Sequence, residues 1–262
     1  MAGYDQLLEA VRAGVVKSET VVVATILRNQ RTVGKLVQSG AEVLSDCFLI
    51  DIGVDQHVLN LVSRTLESGR ETDLVEIGSG LEKLTVVIEV IRPKPALVIF
   101  GAGHVGQALA TVGALTGYDT TLVDDREAFV TRERVPDPRI HLVASAFVSA
   151  GSIPISSNSA VVIVTRGHQH DEICLRETIN SPARYIGMIG SKRRVIGVFR
   201  RLQASGIDQA LLERVRAPIG LDLGARSPQE IAIAILAEII QTFNSHLKKN
   251  WERAATKINR KE

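Results

Sequence analysis

The first third of the chain alternates short apolar runs with turn-forming residues. Leu7, Leu8 and Val11 recur at helical spacing between Asp5 and about Val15, which predicts a short amphipathic helix with Asp5 placed to cap its start. Three β-branched runs follow: TVVVATIL from Thr20, RTVGKLV from Arg31 and CFLI from Cys47. The turn formers Asn29-Gln30 and Ser39-Gly40 separate them, so they read as an antiparallel meander. Val54, Val58, Leu61, Val62 and Leu66 then share one face of a second helix, and DLVEI and KLTVVIEVI are two further strand candidates. Residues 1–92 are therefore expected to form a small α+β unit.

At Pro93-Lys94-Pro95 the pattern breaks, because each proline disfavours helix at the residue before it and lacks a backbone donor. Residues 93–95 are read as a linker. Beyond it, ALVIF from Ala96, DTTLVD from Asp119, IHLVAS from Ile140, AVVIVT from Ala160 and YIGMIG from Tyr185 alternate with helical stretches. Continuous apolar runs suit strands covered on both faces. The expected fold is α/β: a doubly wound parallel sheet over 96–244, preceded by the smaller α+β domain. The last helix is marked by Ser227 as N-cap, Pro228 at its first position and Glu230 completing a capping box. Its body, from Ile231 to Phe243, is apolar on more than one face, which implies deep burial or a subunit interface.

Composition narrows the function classes. Of 262 residues, 45% are hydrophobic and 23% charged, and 31 Lys plus Arg against 29 Asp plus Glu leave a net charge of +2. Disorder and a nucleic-acid coat are thereby excluded, and 4% aromatic residues offer little for stacking bases. Cys47 and Cys174 are far apart and outside any C-x-x-C pair, so neither a disulfide framework nor a thiolate zinc site is expected. No secretory leader and no membrane-spanning run is visible, since Glu238 breaks IAIAILAEII; a soluble, cytoplasmic protein is expected. Charge is uneven: −4 over residues 1–92, +2 over 93–244 and +4 over the tail 245–262.

The sharpest chemical signal is ALVIF followed by G-A-G-H-V-G. Gly101 permits a tight turn, Gly103 lets backbone approach a pyrophosphate, and Gly106 lets the next helix pack on the sheet, with His104 at its start. The strand before, the helix after and a second strand ending in Asp124-Asp125 supply the context of a Rossmann-like, nucleotide-binding fold. Asp124 stands where a carboxylate accepts from a ribose 2′-hydroxyl, favouring NAD. Arg126 leaves that open, since a guanidinium there suits a 2′-phosphate or a plain salt bridge to a neighbouring acid. A second cluster, TRGHQHD at 165–171, follows the fourth strand of this domain. The first and fourth strands are neighbours at the switch point, so His104, His168 and His170 are expected in one crevice. They are suited to a metal, an anionic ligand or acid–base work; the alternative makes them loop hydrogen bonders, with Asp171 a helix N-cap. The fifth strand runs into GMIGSKRR, where Gly190, Ser191 and Lys192 form a candidate anion cradle, while Arg193 and Arg194 are assigned to the solvated face of the next helix. In PIGLDLG at 218–224, Asp222 is a possible ligand or cap. G-x-x-x-x-G-K-[ST], H-E-x-x-H and Tyr-x-x-x-Lys are all missing, and no residue announces itself as catalytic.

Taken in order, GAGHVGQALA, LVDDRE, TRGHQHD, YIGMIGSKRR and APIGLDLGARSPQEIAIAILAEI resemble the C-terminal half of the XdhC/CoxI family, the accessory factors of xanthine dehydrogenase and related molybdenum hydroxylases. The resemblance spans about residues 96–242. It implies an accessory protein rather than a catalyst. Such a protein binds molybdenum cofactor (molybdopterin), supports its sulfuration and hands it to a molybdenum hydroxylase apo-enzyme, with a cysteine desulfurase as a further partner and a homodimer as the common state. The family's N-terminal domain carries a G-x-x-G-G-G-C/A-x-E stretch, whereas this chain reads VLSDCFLIDIGVD, without the glycine cluster or the glutamate. The competing readings are an NAD(P)-dependent oxidoreductase and a nucleotide-sensing Rossmann module.

Overall fold

In the computed structural model, residues 3–17, 19–45, 55–78 and 83–244 are described. They belong to two units that divide between Pro93 and Lys94. The first begins with α1 (Tyr4–Val16), which is capped by Gly3 and not by Asp5: the Gln6 side-chain oxygen accepts from the Gly3 N–H at 3.0 Å. Strands β1 (Val21–Arg28) and β2 (Arg31–Ser39) are joined through Asn29 and Gln30 at φ 49° and 63°, the mirror-image turn whose twist matches that of a hairpin. The third described strand, β3, is Glu42–Ser45; the expected CFLI run lies outside the described residues. Helix α2 (Asp55–Ser68) leads to β4 (Thr72–Ile77) and β5 (Leu84–Ile91), and the antiparallel order is β3-β2-β1-β5-β4. Alternation puts Val22, Ala24, Ile26, Val86 and Ile88 on the face covered by Val58 and Val62 of α2. Val54 and Cys47 fall outside the described residues.

The second unit contains β6 (Ala96–Phe100), α3 (His104–Leu115), β7 (Asp119–Asp124), β8 (Ile140–Ala144), β9 (Ser159–Ile163), α4 (His168–Thr178), β10 (Tyr185–Met188), α5 (Lys192–Ala204), α6 (Gln209–Glu213), β11 (Val215–Arg216) and α7 (Pro228–Phe243). The strands form a parallel sheet in the order β11-β10-β9-β6-β7-β8. This is the doubly wound arrangement expected from the sequence, with one strand, β11, added at the edge. Side chains alternate between two cores. Leu97 and Ile99 of β6 face α3 and α7, whereas Val98 and Phe100 face α4, α5 and the 3-10 segment Phe147–Ser152.

Helix α7 starts as its sequence demands. The Ser227 hydroxyl accepts from the Glu230 N–H at 3.2 Å, and the Glu230 carboxylate accepts from the Ser227 N–H at 2.9 Å. Loss of one such cap costs about 1 kcal/mol, so Ser227→Ala is expected to destabilise the protein by that amount in urea melts. An unchanged midpoint would show that the Glu230 carboxylate holds the terminus alone. Ala232, Ala234, Ile235, Leu236, Ile239 and Phe243 are buried, while Ile233 and Ile240 stand exposed two turns apart. Among the described residues no helix is long and apolar enough to cross a membrane.

Candidate functional site at the carboxyl edge of the parallel sheet

The motif-bearing loops all leave the sheet from one edge. Phe100 pairs with Ile163 on one side and Val123 on the other, so β9, β6 and β7 end level. Gly101 turns there with φ +113°, and a Cβ on it would lie 2.5 Å from the Val164 carbonyl oxygen. A Cβ on Gly106 would lie 1.8 Å from the Gly101 carbonyl oxygen. Both glycines are required by packing.

Gly103 is different. It is the N-cap of α3 at φ −72°, a conformation open to any residue, and a Cβ there meets nothing within 4 Å. Gly167, the N-cap of α4, repeats this arrangement on the neighbouring strand: φ is −164°, and the nearest atom to a Cβ is His170 Cδ2 at 4.0 Å. Neither cap supplies a side-chain acceptor. Two helix N-termini, with free N–H groups and aligned peptide dipoles, thus stand at adjacent strand ends at the switch point. Gly167 escaped the sequence reading because Asp171 looked like the cap. Asp171 is instead the fourth helical residue, 1% exposed, and its Oδ1 accepts from the Thr165 hydroxyl at 2.6 Å.

Asp124 ends β7 with its carboxylate 1% exposed and fully engaged. Oδ2 accepts from the Ala102 N–H at 2.7 Å and Arg126 Nη2 at 2.9 Å; Oδ1 accepts from the Arg126 N–H at 3.0 Å and Nε at 2.8 Å. Burial alone would push this carboxyl up, but the Arg126 fork and the two backbone donors outweigh it and hold the pKa at about 2. Arg126 therefore makes the salt bridge that was one of its sequence-level readings. Its guanidinium carbon also lies 3.5 Å from the Phe129 ring centroid, and that of Arg134 lies 4.3 Å from it. Arg166 reaches from beyond β9 to Asp125 beyond β7 at 2.8 Å. Because β6 lies between those strands, this ion pair bridges the carboxyl end of β6.

The remaining candidates are spread along the same edge. His104 and His168 are the first residues of α3 and α4, and His104 is exposed. The ring of His170 packs edge-on against Phe147, with centroids 5.3 Å apart. No group of three His, Cys, Asp or Glu among the described residues is placed to hold a metal ion. Gly190 (φ +153°) leads into Ser191, whose hydroxyl caps α5 by accepting from the Arg194 N–H at 3.4 Å. Lys192, Arg193 and Arg194 follow, all exposed. The 218–224 loop is fastened by Glu238, which accepts from the Tyr185 hydroxyl at 2.6 Å and the Gly220 N–H at 2.8 Å, while Asp222 is exposed. Burial, followed by the Glu238 carboxylate, pushes the Tyr185 hydroxyl far up, so it stays a donor. Burial likewise raises the Cys174 thiol, which is fully enclosed and serves as core.

A doubly wound sheet with a glycine-rich turn after its first strand, and two open helix N-termini at the switch point, defines a Rossmann-type domain. The XdhC Rossmann domain model matches residues 97–239, more than half the chain, and the chain belongs to that family. It is 32% identical over 155 residues to a probable xanthine dehydrogenase subunit of Bacillus subtilis (strain 168), covering 59% of this chain and 45% of that protein. It is 25% identical over 148 residues to the molybdenum cofactor insertion chaperone PaoD of Escherichia coli (strain K12), covering 56% of this chain and 40% of PaoD. The chain thus spans less than half the length of either relative. The solved structure of a xanthine dehydrogenase from Bacillus halodurans shares the fold, with TM-score 0.66 and 23% identity over 94% of this chain and 68% of that one.

Proposed function

We propose that this protein is a maturation factor that binds molybdenum cofactor and delivers it to a molybdenum hydroxylase apo-enzyme of the xanthine dehydrogenase type. The observation that carries the reading is the pair of glycine-capped helix termini. At Gly103 and Gly167 neither φ nor packing requires glycine, and the absent side chains leave the α3 and α4 N–H groups open to an approaching anion. The names of the relatives supply the class of ligand. The cofactor is cargo, an anion received at these termini with Gly101, Gly106 and Gly190 shaping the loops and His104, His168, Ser191 and Lys192 along the rim. His170, packed on Phe147, and Asp171, bonded to Thr165, support the α4 end of the cradle. A cysteine desulfurase is the expected source of sulfur for the bound cofactor. Ile233 and Ile240 of α7 offer an apolar face for a homodimer.

Anaerobic titration calorimetry with isolated molybdenum cofactor tests the reading. Gly103→Ala and Gly167→Ala are each expected to weaken binding at least about tenfold while lowering the melting temperature by no more than about 4 °C, since the added methyls enter open space and only N-cap preference is lost. Full affinity in both variants would remove the crevice as the binding site. Activation of the apo-hydroxylase by wild type, but not by a variant that has lost the cofactor, would separate a delivery factor from a nucleotide sensor.

A further inference from the structure

We propose that the end of β7 selects a ligand carrying a phosphate monoester and rejects a bare ribose diol, with Arg126 as the specificity-determining residue. This deepens the preceding reading, and rests on it only in taking the crevice to be a ligand site.

The first argument is the saturation of Asp124. A carboxylate offers about four lone-pair positions, and all four are taken, by the Ala102 N–H, the Arg126 N–H and two N–H groups of the Arg126 side chain. A ribose 2′-hydroxyl donating to Asp124 would have to displace the guanidinium or the glycine-rich turn, breaking a charge-assisted fork to form one neutral–charged bond. The carboxylate that a diol would need is therefore closed.

The second argument is what the fork leaves over. Arg126 spends Nε and one hydrogen of Nη2 on Asp124, and among the described residues no acceptor is bound to Nη1. Its plane is fixed from one side by Asp124 and by contact with Phe129, so its unused donors are held in place before a ligand arrives. Arg134 lies against the same ring, is exposed, and makes no ion pair among the described residues. Asp125, beside Arg126 in sequence, comes to 3.9 Å from its Nε but is bonded to Arg166 at 2.8 Å, and Glu127 and Glu133 accept from neither guanidinium among the described residues. Two arginines around one phenylalanine, one pre-oriented, offer several converging donors, which the three free oxygens of a phosphate monoester accept more fully than the two of a diester.

Two sources carry this chemistry: a dinucleotide with a 2′-phosphate, or a pterin cofactor with a free terminal phosphate. The experiment titrates the whole chain with two matched pairs of probes: NADP+ against NAD+, and molybdopterin cofactor with its free phosphate against the cytidine dinucleotide form, in which that phosphate is esterified. In at least one pair the monoester is expected to bind tenfold tighter or better, and the pair that shows it identifies the source. Arg126→Gln is expected to erase the preference and, by freeing Asp124, to improve NAD+ relative to NADP+; Arg126→Lys keeps part of it. Should Arg126→Gln melt early, Arg134→Ala asks the same question without touching Asp124 and is expected to reduce the preference. Equal affinities within both pairs, or a preference that survives Arg126→Gln, would overturn the proposal. A preference confined to NADP+, with no cofactor binding in either form, sinks the maturation reading and leaves this one standing. Cofactor binding that ignores its phosphate, with NADP+ and NAD+ bound equally, does the reverse.

Discussion

Gly106→Ala is expected to cost about 4 kcal/mol or more, lowering the melting temperature by roughly 10 °C or preventing soluble expression. The methyl group would be built 1.8 Å from the Gly101 carbonyl oxygen, a backbone atom that no rotamer change can move aside. Either α3 must lift from the sheet, pulling the fully buried Leu109 and Ala110 and the nearly buried Ala114 with it, or the Gly101 turn must open. Neither adjustment is local. Gly103→Ala, three positions earlier, is the matched control, since its methyl meets no atom within 4 Å, and it should cost no more than about 1 kcal/mol, that of a poorer N-cap. Urea melts of the two variants measure the contrast. Similar midpoints would mean that α3 is not seated on the glycine-rich turn as closely as described.

Asp124→Asn should show the second large effect, and one that depends on pH. The substitution keeps an oxygen for the Ala102 N–H but removes the charge that holds Arg126 in a fork. Breaking a buried pair costs about 3–5 kcal/mol; because the Arg126 side chain is 30% exposed and can turn to water, about 2–3 kcal/mol is expected near pH 7. The sign of the pH dependence follows from the depressed carboxyl, about 2 in the folded protein, against roughly 3.9 when unfolded. Its contribution is complete above the unfolded value and is lost as pH falls from about 4 through about 2. The gap in stability between wild type and Asp124→Asn should therefore be widest near neutrality and close in strong acid. A gap that stays constant down to about pH 2 would place the effect in shape and not in charge.

Elements with a strong local signal were legible in the sequence. The apolar runs at Ala96, Asp119, Ile140, Ala160 and Tyr185 each became a strand because continuous burial on two faces demands that composition. Ser227, Pro228 and Glu230 identified a helix start because their own side chains and ring satisfy it. What escaped had no side-chain signature. β11 is two residues long, Val215–Arg216, too short to show any period. Glu42–Ser45 pairs with β2 through backbone and leaves its first two side chains exposed, so it carries no apolar pattern to mark it as a strand. The engagement of Asp124 was hidden for a similar reason: one donor is the backbone of Ala102, 22 residues away, and nothing in an alanine announces it. Gly167 as a cap was masked by the acid four positions later, a residue type that usually takes that role.

The ion pair between Arg166 and Asp125 joins residues 41 positions apart and belongs half to LVDDRE and half to TRGHQHD. Those two stretches are consequently one mechanical part. Grafting either stretch alone onto another Rossmann scaffold would leave one charge of the bridge behind, whereas grafting both together would carry the bridge across.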